Sequence, residues 1–98
     1  MNSNPKSEEF YAKLKSQLEE LTVFPTIYLY KFIVPTKEND NKVKEVSNQF
    51  NNLGATIKTH KSKNGKYTSL SIQVKMKSAD AIIEKYKEVT KIEGIISL

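Results

Sequence analysis

The 98 residues predict an α+β fold: a four-stranded antiparallel sheet with two helices on one face and a further helix ahead of them. Three observations carry that prediction. Two alternating apolar–polar runs, 55–62 and 67–76, flank Lys63-Asn64-Gly65-Lys66 and read as a hairpin with a two-residue Asn-Gly turn. Segments at about 40–53 and 79–91 repeat apolar residues every three or four positions, as a helix with one buried face does. An aromatic and β-branched run at 26–34 and a short apolar end at 94–98 supply the other two strands.

In chain order, residues 5–21 form the first expected helix. Asn4 stands where a cap belongs, and Pro5 suits the first helical position. Phe10, Leu14, Leu18 and Leu21 make one apolar stripe with Tyr11 beside it. Pro25 forbids continuation of that helix. Thr26 to Val34 then reads as a buried central strand ending at Pro35. Thr36-Lys37-Glu38-Asn39-Asp40 is a polar connector rich in capping residues. The helix after it sets Val43, Val46, Phe50 and Leu53 on one side, with Gly54 as its stop.

The hairpin register follows from arithmetic. With Lys63 opposite Lys66, Ile57 meets Ile72, Ala55 meets Val74 and Thr59 meets Leu70, while Lys58 meets Ser71 and His60 meets Ser69. A slip of one residue would mix the two faces. Ser78 caps the last helix, which runs to about Lys91 with Ile82, Ile83, Tyr86 and Val89 inward.

After the first helix the order is β-α-β-β-α-β, the ferredoxin-like arrangement of two strand–helix–strand units joined by a hairpin. Right-handed crossovers give the strand order 4-1-3-2. Alternation sends Tyr28, Tyr30, Phe32 and Val34 beneath the helices with Ile57, Leu70, Ile72 and Val74. The opposite face receives Ile27, Leu29, Lys31 and Ile33 beside Tyr67, Ser69, Ser71, Gln73 and Lys75, with Lys58 and His60 farther out. Such a face, half apolar and half basic, calls for a cover. The expectation is that the first helix crosses it, in its own subunit or in a dimer partner. The chain thus divides into a helical extension, 1–24, and a ferredoxin-like domain, 25–98.

Composition bounds the chemistry. The absence of cysteine removes disulfides, thiolate nucleophiles and cysteine-held metal, and the lone His60 cannot build a multi-histidine site. No run approaches the ~18 apolar residues of a membrane span, and the start carries no apolar leader. These readings point to the cytoplasm, to no membrane and to no cofactor. There are sixteen lysines, no arginine and eleven acids. Lys58, Lys61, Lys63, Lys66, Lys75 and Lys77 fall within 55–77, where no acid occurs, so the whole net charge of +5 belongs to that stretch. The functional alternative is a basic hairpin that binds RNA or another polyanion; the plain alternative is lysine keeping a sheet edge soluble.

Weighed singly, the constellations are thin. His60 with Ser69 or Ser62 imitates a base and a nucleophile, yet no carboxylate is placed to orient the imidazole. Glu8-Glu9 and Glu19-Glu20 belong to a solvated helix face. Asn39-Asp40-Asn41 lacks the glycine and distal glutamate of a calcium loop and reads as a helix cap. RNA-recognition modules of this topology stack bases on central aromatics of the first and third strands. Here those positions hold Ile27, Leu29 and Ile33, then Ser69, Ser71 and Gln73, with only Tyr67 at the margin. Nucleic acid is therefore disfavoured as a partner.

Three segments also resemble one family. Phe24-Pro25-Thr26 with Tyr30-Lys31, the run Ser62-Lys63-Asn64-Gly65-Lys66-Tyr67-Thr68-Ser69-Leu70-Ser71-Ile72, and Tyr86-Lys87-Glu88-Val89 followed by Lys91-Ile92-Glu93 are similar to the YbeD-like proteins, in order, over about residues 18–98. The resemblance implies small bacterial proteins with an ACT-like, ferredoxin-type fold, no established enzymatic activity and a lipoate-linked regulatory label. Val34-Pro35-Thr36-Lys37-Glu38-Asn39 departs from ligand-binding ACT domains by lacking the glycine that admits an amino acid. The resulting expectation is a non-enzymatic regulatory or adaptor domain that binds a small molecule or a protein, a homodimer included. Its candidate interaction surface is Lys31, Lys58, His60, Lys61, Lys63, Lys66, Tyr67, Ser69 and Ser71.

Overall fold

Strict alternation along the two longest strands decides the architecture, because it gives the sheet one face that packs and one that does not. The computed structural model describes residues 5–36 and 41–97. Its elements are α1 (Pro5–Leu21), β1 (Thr26–Pro35), α2 (Lys42–Asn48), β2 (Thr56–Lys61), β3 (Tyr67–Met76), α3 (Ala79–Val89) and β4 (Ile96–Ser97). The four strands form one sheet in the order β2-β3-β1-β4, with every neighbouring pair antiparallel. That is the expected ferredoxin-like topology. The hairpin register is also as read, with Ile57 opposite Ile72, Lys58 opposite Ser71 and His60 opposite Ser69.

Beneath the helices, Tyr30, Phe32, Val34, Leu70, Ile72 and Val74 from the sheet meet Val46, Phe50, Ile82 and Val89, all buried. Each such aliphatic or aromatic side chain contributes about 1.5–3 kcal/mol through burial. Tyr30 sits at the centre, its ring 4.8 Å from Tyr86 and 5.2 Å from Phe50. Its hydroxyl donates to the Ile82 carbonyl at 3.0 Å, and the Tyr28 and Tyr86 hydroxyls bond each other at 2.9 Å. Burial pushes the Tyr30 phenol well above its ordinary value, and neighbouring tyrosines push the same way. Tyr86 is raised by burial first and by the Tyr28 hydrogen bond second. Ser78 caps α3 as expected, its hydroxyl accepting from the Ala81 amide at 3.0 Å.

Local structure departs from the reading in several places. α2 stops at Asn48 and the chain continues as tight turns through Gly54, leaving Leu53 42% exposed rather than inward. Ser47-Asn48-Gln49 and Asn51-Asn52 offer side chains that compete with helix hydrogen bonds, which explains the early end. Asn41 is the N-cap without a side-chain cap bond, and the proposed cap residues Asn39 and Asp40 lie outside the described residues, as does Asn4. The hairpin closes at Ser62 and Tyr67, not at the two-residue Asn-Gly turn. A type I′ turn needs positive φ at both central residues, and here Gly65 has it (+73°) while Asn64 does not. Asn64 instead accepts bonds from the Ser62 hydroxyl and the Lys66 amide. α3 ends at Val89, and β4 is only two residues long. Gly94 before it has φ +83°, and a Cβ there would lie 3.3 Å from the Pro35 ring.

The largest departure is α1. It does not cross the open face; it lies against α3 on the covered side. Tyr11, Leu14 and Leu18 pack on the core, while Phe10 and Leu21, counted in the expected stripe, are exposed. Tyr11 approaches Tyr86 at 6.5 Å and takes the Lys87 ammonium over its ring. Lys15 bonds Asp80 at 2.9 Å, and this hydrogen bond together with the carboxylate's charge raises the Lys15 ammonium above its ordinary value. The other flank of α3 belongs to α2, where Lys85 donates to the Gln49 carbonyl at 2.7 Å. So α1 and α2 clamp α3 from opposite sides. Two helices leave part of the core's edge open: Tyr86 and the Asp80–Lys87 flank of α3 receive α1.

Candidate functional site

The face left bare is built from alternate residues of all four strands. β1 contributes Ile27, Leu29, Lys31 and Ile33; antiparallel pairing sets Lys75, Gln73, Ser71 and Ser69 of β3 beside them. Thr56, Lys58 and His60 of β2 continue the rows outward, and Ile96 of β4 flanks Ile33 on the other side. Ile27 is 68% exposed, Leu29 44%, Ile96 49% and Tyr67, opposite Pro35, 46%. An apolar strip therefore follows β1, bounded on the β3–β2 side by hydroxyls, amides and lysines. One row reads Lys31, Ser71, Lys58, with the two lysines on either side of the serine.

The electrostatics are one-sided. None of the four strands contains an acid. The three ion pairs among the described residues, Lys15–Asp80, Lys42–Glu45 and Lys85–Glu88, all belong to the helices. Lys31, Lys58 and Lys75 have no carboxylate partner among the described residues. Their charge is therefore available to whatever meets the face.

Of the residues singled out from the sequence, Lys31, Lys58, His60, Tyr67, Ser69 and Ser71 are brought together here. Lys61 is not: it pairs with buried Thr68 and so belongs to the helix side of β2. Lys63 and Lys66 stand in the hairpin loop, beyond the ladder. Sequence reasoning left out Ile96, whose place beside Ile33 depends on how β4 pairs; the apolar run at 94–98 was the available signal. The Ser69 hydroxyl donates to the His60 main-chain carbonyl at 3.3 Å and makes no hydrogen bond to its ring, so the two do not form a base–nucleophile pair. Among the described residues no cluster of three or more His, Asp or Glu is placed to hold a metal, and no helix is long and apolar enough to cross a membrane.

A second concavity, about 510 Å³, lies between α2 and the α3–β4 connection and includes Lys42, Glu45, Glu88, Lys91 and Glu93. Its charges are mixed, and Lys42 and Glu45 already pair within it. Its two lysines and three glutamates leave a single negative charge, and Ile92 is the one apolar side chain in its lining.

Fold and surface together define a class: a small ferredoxin-like α+β domain with an extra N-terminal helix and one uncovered sheet face. The chain belongs to the DUF493 family, described as proteins of unknown function, whose family model matches residues 19–98. The YbeD-like proteins are this family. The fold is similar to the solution structure of protein HP0495 from H. pylori, with TM-score 0.60 and 17% identity over 78% of this chain and 84% of that one. No curated protein matches the sequence significantly.

Proposed function

We propose that this chain is a non-catalytic adaptor domain that holds a protein partner on its open sheet face. One observation carries the reading: Ile27, Leu29, Ile96 and Tyr67 stay exposed next to lysines without ion partners among the described residues, while α1 packs on the other side of the sheet. Apolar and cationic groups are spread over four strands instead of converging on one point, which suits a protein surface better than a small ligand. The regulatory, lipoate-linked role and the bacterial cytoplasm implied by the family resemblance fit an adaptor that acts by holding a partner rather than by turning over a substrate.

The test is site-specific photo-crosslinking of the full-length chain in its host cell, with the reactive group at position 29 on the open face or at position 84 on the helix side. Protein adducts from position 29 and none from position 84 support the reading. Adducts confined to position 84 defeat it.

A further inference from the structure

We infer, building on that adaptor reading, that the occupant of the open face is an acidic amphipathic helix of a second protein. Its apolar side would lie along Ile27, Leu29, Ile33 and Ile96, with its carboxylates turned toward Lys31, Lys58 and Lys75. Charge complementarity selects this occupant. The three lysines are exposed and carry no ion pair among the described residues, so an incoming carboxylate displaces no partner among them.

The geometry specifies the shape of the partner. From Ile27 to Ile33 the apolar strip, interrupted by Lys31, runs ~20 Å along β1. A helix of about thirteen residues covers that length at 1.5 Å per residue. Lys75 lies one strand to the side of the strip and Lys58 two, about 5 and 10 Å away, while β4 on the other side brings no charge. The helix must therefore carry one acid within its apolar stripe, opposite Lys31, and the others on a single flank, not around its whole circumference.

Two other occupants fit worse. A second copy of the chain, docked face to face by a two-fold axis, would bring two sets of Lys31, Lys58 and Lys75 into one interface with no strand carboxylate to pair with them while water is expelled. A polynucleotide would satisfy the lysines yet leave Ile27, Leu29 and Ile96 without contacts, and the face offers it a single aromatic, Tyr67, at its margin.

The probes are two synthetic fourteen-residue amphipathic peptides with identical leucine positions, one with glutamates at that stripe position and on the polar flank and one with lysines there, together with oligouridylate. Each is titrated into the full-length protein and followed by backbone amide NMR and calorimetry. The glutamate peptide is expected to move amides of 27–33 and 69–75, leave those of α1 unmoved, and bind at least about tenfold more tightly than the lysine peptide, as expected when several surface ion pairs of up to about 1 kcal/mol each act together. The triple variant Lys31→Glu, Lys58→Glu, Lys75→Glu should reverse that preference, and the corresponding Lys→Gln triple should erase it. All three positions are exposed, so both variants are expected to fold.

Equal affinity for the two peptides overturns the inference, as does absence of glutamate-peptide binding at millimolar concentration. So does tighter binding of oligouridylate at the same amides, or self-association of the protein through this face. Crosslinks from position 29 combined with any of these results would retain the adaptor and remove its acidic partner.

Discussion

Along β1, Tyr28, Tyr30, Phe32 and Val34 turn toward the helices while Ile27, Leu29 and Ile33 turn the other way, so one strand presents apolar residues on both sides. Only one side becomes core. The choice is made by β3, whose Leu70, Ile72 and Val74 meet Phe32, Tyr30 and Tyr28, and whose Ser69, Gln73 and Lys75 meet Ile33, Leu29 and Ile27. Apolar content alone does not make a core; a matching apolar surface on the neighbouring strand and a helix above it do. The second face keeps the same kind of side chain without that complement, and its hydrophobicity is left available for use.

Paired substitutions on β1 give the strongest test of this contrast. Phe32→Ala, in a fully buried site, should cost about 3–5 kcal/mol in chemical denaturation, whereas Leu29→Ala should cost about 1 kcal/mol or less. Equal losses would mean that the two faces are not different in kind. Alkaline titration probes the covered side alone. Tyr30 and Tyr86 hold their protons above the ordinary phenol value in the folded chain. Their contribution is thus complete below about pH 10, where unfolded tyrosine titrates, and is lost as pH rises beyond it, by up to about 1.4 kcal/mol per pH unit for each phenol. Denaturation midpoints between pH 8 and 11.5 should fall accordingly, and Tyr86→Phe should flatten the fall.

The position of α1 sharpens the comparison further. Leu14→Ala should cost about 1–2 kcal/mol, and amides of residues 11–21 should be protected from hydrogen exchange. Ile27→Asp on the open face should leave that protection unchanged; loss of it would return α1 to that face. Ser78→Ala, removing the α3 cap, should cost about 1 kcal/mol. Least of all, Lys58→Ala and Lys75→Ala should change stability by no more than about 0.5 kcal/mol, since both side chains are exposed and neither has an ion partner among the described residues.

The hairpin was legible because β3 alternates without a break over Tyr67–Met76 and only one register matches it to β2. From that register the two faces, and six of the nine singled-out surface residues, follow directly. Lys61, Lys63 and Lys66 were grouped with them by charge, and charge does not encode which side of a strand a residue takes. The docking of α1 was not legible either. Its stripe gives the angular position of Tyr11, Leu14 and Leu18 but does not name the surface they meet. That surface, the α3 flank around Asp80 and Lys87, exists only once α3 has packed on the sheet, and so depends on pairing between segments far apart in sequence.

The confinement of the acids to the helices and their connections also gives the molecule a direction. Glu8, Glu9, Glu19, Glu20, Glu45, Asp80, Glu84, Glu88 and Glu93 lie off the strands, while the strands carry only lysine and His60 as ionisable groups besides their tyrosines. The eight lysines of the helices and the α3–β4 connection nearly balance those nine acids, so the cations left uncompensated are those of the sheet and its hairpin. A negatively charged surface within a Debye length, about 8 Å at physiological salt, turns the protein toward itself sheet-first before any atom touches. An acidic partner meeting this face would therefore associate faster at low ionic strength and slower as salt is added, whereas one meeting the helices would gain no such help.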